Sequence, residues 1–172
     1  PAFLQDHADC ERKASAMALS LVAKYPDRHK IIPELITTGI EELEHFQLVH
    51  NIMISRGIPL AKEIEQDPYI KGLISLIHSD SKRRFLDRLL LASIIECRGA
   101  ERFRLVSAAL VNDKVLKDFY YDLWVSEAKH GHIFVKMALE YFDKEHVYDR
   151  LHYLNNEEGR IIKGLKFRAA LH

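Results

Sequence analysis

The chain has 172 residues, with 25 basic and 25 acidic side chains, ten histidines and two cysteines. That length suffices for one domain with a sizeable core, and the even charge gives no electrostatic hint about a partner. Cys10 and Cys97 form no CxxC pair, which excludes zinc-ribbon and rubredoxin-type sites in this chain, and they are too few for a disulfide framework. A reducing cytoplasm is therefore the expected setting. No apolar run approaches the roughly 20 residues that cross a bilayer, and no secretory signal is visible. The sequence opens on Pro1 rather than methionine, which leaves room for a preceding N-terminal segment. Residues 1–172 are expected to form a single domain.

The first helical pattern begins near Phe3 and is interrupted at Tyr25-Pro26-Asp27. Pro33 suits the first turn of a second helix, which runs to about Arg56 and is stopped by Gly57-Ile58-Pro59. Residues 57–80 form a long connection with its own apolar run around Tyr69, Leu73 and Ile77, read as a short helix. A third long pattern covers about Ser81 to Leu110, Asn112-Asp113 marks a turn, and a fourth pattern covers about Lys114 to Phe142. A shorter fifth helix is expected over roughly Val147 to Leu165, weakened by Gly159 and Gly164. Short links make helices 1 and 2, and helices 3 and 4, antiparallel neighbours. Two hairpins joined by one long crossover between helices 2 and 3 are the ferritin-like form of an all-α four-helix bundle, here with a short extra C-terminal helix.

The inward face of each helix, taken at steps of three and four, carries one glutamate in the middle of an apolar stripe. These are Glu11 among Leu4, Ala8, Ala14, Ala18 and Leu21, and Glu42 among Leu35, Thr38, Val49 and Ile52. Glu96 lies among Leu89, Ala92, Gly99, Phe103 and Val106, and Glu127 among Leu123, Phe134 and Met137. Helices 2 and 4 add His45 and His130 one turn later on the same face. A buried carboxylate is costly unless paired or metal-bound, so four at mid-helix call for a common cause. Two divalent cations supply it: one Glu from each of two helices and Glu-x-x-His from the other two is the ligand pattern of di-iron bundles. The interval from Glu11 to Glu42 is 31 residues, as is that from Glu96 to Glu127, so the chain holds two similar hairpins. Each metal is then expected to take one histidine and one terminal carboxylate, with the other carboxylates bridging.

Other candidates rank lower. Glu101 is the rival to Glu96 but breaks the 31-residue interval, and is left as a group that could support a ligand from behind. Glu41, Glu44 and Lys129 read as solvated. His7, His50 and His132 lie near the stripes without a matching partner and read as core-edge or surface histidines. Cys10 and Cys97 each adjoin a proposed ligand and read as packing residues, and Tyr120, Tyr121 and Trp124 as core or interface aromatics.

Nitrogen and oxygen ligands with open positions suit iron that activates oxygen. Three uses compete: oxidising an organic substrate, reducing peroxide, or oxidising iron for storage. A non-catalytic helical module would need no metal, and the carboxylates speak against it. The stretches DHADCERKASAMALSL (Asp6 to Leu21), EELEHF (Glu41 to Phe46), IIECRGAERF (Ile94 to Phe103) and SEAKHGHIF (Ser126 to Phe134) resemble the bacterial tRNA hydroxylases that act on methylthio-isopentenyl-adenosine, within the ferritin-like di-iron superfamily. The resemblance runs from Phe3 to about Leu154. It implies an oxygen-dependent monooxygenase with two iron ions held by Glu11, Glu42, His45, Glu96, Glu127 and His130, hydroxylating an allylic carbon of the prenyl chain on an adenosine beside the anticodon. It also implies tRNA as partner and a separate reductase or electron carrier, because the chain has no flavin or iron–sulfur motif. The alternative is a rubrerythrin-like iron- or peroxide-handling protein without an RNA substrate. Lys82, Arg83, Arg84 and Arg88, then Arg98, Arg102 and Arg104, then Arg160, Lys163, Lys166 and Arg168 could meet phosphates, although by themselves they read as solvated faces.

Overall fold

Helix α1 spans Ala2–Lys24 and α2 spans Ile32–Ser55, in close agreement with the apolar periodicity. The structure is a computed structural model and describes residues 1–63, 66–166 and 168–171. Ile64 and Glu65, within the expected crossover, lie outside the described residues. All regular structure among the described residues is helical: α3 is Pro68–Ile74, α4 Ser81–Ala109, α5 Lys114–Glu127, α6 His130–Leu139 and α7 Lys144–Gly164. The chain divides into two compact units, Pro1–Glu65 with Arg168–Leu171, and Gln66–Phe167.

The first unit is a helical hairpin. Its turn is closed by backbone bonds from Arg28 to the Tyr25 carbonyl and from Ile31 to the Arg28 carbonyl, and Pro33 then sits in the first turn of α2. Leu4, Ala8, Ala18 and Leu21 of α1 and Leu35, Val49 and Met53 of α2 form its buried stripes. The Ser15 hydroxyl donates to the Gly39 carbonyl at 2.7 Å, and Leu19 lies where a larger residue than Gly39 would reach. Gly57 ends α2 at φ 65, and the amides of Gly57 and Ile58 bond the carbonyls of Ile54 and Met53. This is a helix end that needs a left-handed residue, which glycine adopts without penalty.

The second unit has α4 at its centre, packed against α5, α6 and α7, with α3 against α7. Asp67, Asp80 and Asp113 cap α3, α4 and α5 by accepting from the amides of Tyr69, Arg83 and Leu116. The bond from the Arg83 amide is the main reason that the Asp80 carboxyl lies below its ordinary pKa. Two expectations need correction. The fourth pattern is two helices, broken at Ala128 and Lys129, where the Lys129 amide reaches the Ser126 carbonyl and tightens the last turn. The last helix is also not short: at 21 residues it nearly equals the 23 of α1. Its interior glycine is outweighed by tertiary packing, since Val147, Leu154 and Glu158 are buried.

Candidate metal centre

In the first unit, α1 supplies Glu11 and α2 supplies Glu42 and His45, all buried. One ligand atom from each lies within 4.8 Å of the others. Helical spacing sets Glu42 and His45 side by side, with His45 Nδ1 3.8 Å from Glu42 Oε2. In the second unit, Glu96 of α4, Glu127 at the end of α5 and His130 at the start of α6 are likewise buried, with donor atoms within 4.8 Å of one another. His130 Nδ1 lies 2.7 Å from Glu127 Oε2. The break in the fourth pattern therefore falls inside its Glu-x-x-His motif and leaves the carboxylate and the imidazole together.

The other buried carboxylates show how this chain houses a structural charge. Asp9 lies against Arg12 and Lys13, Asp87 accepts from Arg150 Nε at 2.8 Å, and Glu158 takes Arg98 through both oxygens at 2.8 and 3.0 Å. Each has a guanidinium. Glu11, Glu42 and Glu127 each lie beside a histidine, a group that also ligates metals. Two carboxylates and one imidazole in each unit are a donor set that suits iron or another first-row cation of that preference, and the residues fit.

Two polar groups beside the candidate ligands escaped the sequence reading. His7 is not a core-edge or surface residue: it is fully buried, and its Nε2 lies 2.5 Å from Glu11 Oε1. The spacing of four residues was the available signal. Thr38 is buried one turn before Glu42, and its hydroxyl meets no hydrogen-bond partner among the described residues. Glu101 is exposed and pairs with Arg98, so it does not stand behind a ligand. Arg98 is held above its ordinary pKa, chiefly by its bonds to Glu158. His50 stacks on Phe46 and His132 is exposed, as expected. Cys97 is exposed as a residue, but its sulfur packs on Gly131. Burial and the Glu96 charge push its thiol pKa up, away from reactivity. Of the aromatics, Tyr120 is core, Trp124 is half-buried and Tyr121 is exposed.

Several of the basic residues are committed within the chain. Arg83 pairs with Asp80, Arg84 bonds the Ser79 carbonyl, Arg98 bonds Glu158 and Arg160 pairs with Glu157. Lys82, Arg83 and His146 share a surface cavity of about 480 Å³ with Glu140 and Asp143, so its charge is mixed. No helix among the described residues is long and apolar enough to cross a membrane.

Comparison with known proteins agrees with these features. The chain is 38% identical over 144 residues to the tRNA 2-(methylsulfanyl)-N(6)-isopentenyladenosine(37) hydroxylase of Pseudomonas putida, covering 83% of this chain and 68% of that protein. It is 28% identical over 209 aligned residues to the protein of the same name from Salmonella typhimurium, covering 94% and 76% of the two. Among solved structures it resembles "Protein 43 with aldehyde deformylating oxygenase activity from Synechococcus", with a TM-score of 0.92 and 31% identity over 99% of this chain and 85% of that one. The fold is thus the ferritin-like all-α one. The family model described as "tRNA-(MS[2]IO[6]A)-hydroxylase (MiaE)" matches residues 1–172, and the chain belongs to that enzyme family.

Proposed function

We propose that this chain is a non-haem di-iron monooxygenase that hydroxylates the isopentenyl side chain of a methylthio-isopentenyl-adenosine in tRNA, with Glu11, Glu42, His45, Glu96, Glu127 and His130 sharing one centre in a single domain over 1–172. The observation that carries it is the pair of buried half-sites, each with two glutamates and a histidine at ligand spacing, in a chain that its family matches along its whole length. The relatives' names supply the substrate.

A bound iron pair supplies the activation of dioxygen. The chain's part is to hold four carboxylates and two imidazoles in place and to exclude water from them. Overall, the substrate C–H bond becomes C–OH, and the second oxygen atom leaves as water with two protons and two external electrons. With only Cys10 and Cys97 and no flavin motif, the chain depends on a separate reductase or electron carrier. The adenosine must leave its loop to be reached, as single-stranded RNA bases commonly do. The setting proposed is the cytoplasm, where tRNA is found.

The test combines iron content with an assay on tRNA carrying the unhydroxylated nucleoside, dioxygen and a reductant. About two irons per chain and a hydroxylated nucleoside, seen by mass spectrometry of the digested tRNA, are expected. Two irons without hydroxylation would move the function to another substrate or to peroxide and iron chemistry. No iron after anaerobic loading would overturn the centre itself.

A further inference from the structure

The two hairpins correspond at a constant offset of 85 residues, which carries Glu11 to Glu96, Glu42 to Glu127 and His45 to His130. The six proposed ligands obey this offset, but the residues beside them do not. His7 falls on Ala92 and Thr38 on Leu123. The first unit thus puts a buried imidazole and a buried hydroxyl next to its ligands, where the second puts a methyl and an isobutyl group, all four buried.

A carboxylate has two oxygens to offer. Glu11 commits Oε1 to His7 Nε2 at 2.5 Å, within a helix that also fixes the spacing of the two side chains. An ionised carboxylate only accepts, so the imidazole N–H donates. That bond directs metal binding to Oε2 and fixes the carboxylate plane. Ala92, one turn before Glu96, has no group that could do this. Resting on the reading of the six residues as one di-iron centre, we propose that His7 is a positioning residue that makes Glu11 a one-oxygen ligand, so that the two metal positions are chemically unlike. Groups that hold a ligating side chain commonly change metal affinity about 10–100-fold when removed. The effect here is confined to the metal position that Glu11 serves.

The test uses the full chain loaded anaerobically with enriched ferrous iron, as wild type, His7→Leu, which fills the space without a donor, and His7→Gln, which keeps an N–H. Mössbauer spectra of the wild type should show two quadrupole doublets of equal area. In His7→Leu one doublet should move and one of the two irons should bind about 10–100-fold more weakly, with the other unchanged. His7→Gln should restore most of both. Two irons in a single wild-type doublet would overturn the proposal even if His7→Leu did not fold. Unchanged doublets and affinities in a folded His7→Leu would also overturn it, and would leave the di-iron reading standing. Fewer than two irons in the wild type would instead bring down the reading on which it rests.

Discussion

Cys97 packs its sulfur against the bare α-carbon of Gly131, in the space a methyl group would need, while the Ser93 hydroxyl donates to the Gly131 carbonyl at 2.7 Å. Residues 93 and 97 flank Glu96 on α4 and Gly131 directly follows His130, so this contact sets how close α6 comes to Glu96. Gly131→Ala should therefore cost about 1–3 kcal/mol in denaturant unfolding, the range for forcing volume into a packed contact. Cys97→Ala in the same chain should recover most of the loss. A double variant no more stable than Gly131→Ala alone would mean that the sulfur is not the obstacle.

Glu42→Gln and Glu127→Gln keep size and shape but remove charge from a buried carboxylate proposed as a ligand. Each should bring iron content from about two per chain to less than one, and the metal-free protein should melt no lower than wild type, because a buried charge has been removed. Full iron content in both variants would detach these residues from the centre. A lowered melting temperature without metal would mark them as structural.

Thr38 offers a separate check. A buried hydroxyl without a partner costs about 1–3 kcal/mol. Thr38→Val should thus leave the metal-free chain as stable as wild type or more so, by roughly 1 kcal/mol in urea unfolding. A clear loss of stability would show that the hydroxyl makes a bond within the fold.

Tyr69 governs an alkaline limit. Burial first, and then the charge of Glu158, hold its phenol well above the ordinary value of 10.0. Below pH 10.0 folded and unfolded chains both keep this proton, and the stability that the group contributes is whole. Above it the unfolded chain releases the proton while the native chain keeps it, so stability falls as pH rises. Urea midpoints of the wild type should drop more steeply between about pH 9 and 11 than those of Tyr69→Phe. The variant should lose about 1 kcal/mol at neutral pH with the bond to Glu158. Parallel pH profiles would mean that Tyr69 does not stay neutral.

The clustering of the candidate residues was legible because a glutamate on an apolar stripe contradicts the stripe, and Glu11, Glu42, Glu96 and Glu127 do so at a repeated interval. Helices α1, α2 and α4 were legible for the same reason, periodicity over more than 20 residues. The turn at Ala128 and Lys129 was not, because both residues keep right-handed helical angles and only the hydrogen-bond pattern changes. His7 was misjudged because its partner, Glu11, lies on its own helix, and a histidine four residues from a glutamate is common on exposed faces as well. Arg98, three residues before Glu101 on the same helix, was the available sign that the two would pair. The span of α7 was legible to within a few residues despite Gly159.

The crossover ends in two ties to one helix. Midway along it, the Tyr69 hydroxyl donates to Glu158 of α7 at 3.1 Å. Near its end, Arg150 of α7 donates to the Leu76 carbonyl at 2.9 Å and to Asp87, which also accepts from the amide of His78 at 2.8 Å. Residues 68–78 are thus moored to the C-terminal part of the chain whatever covalent link precedes them, while residues 59, 60, 62 and 63 are exposed. New chain ends, whether for a protein split into two co-expressed pieces or for a circular permutant, therefore belong before residue 66, because a cut there leaves every one of these moorings on a single fragment.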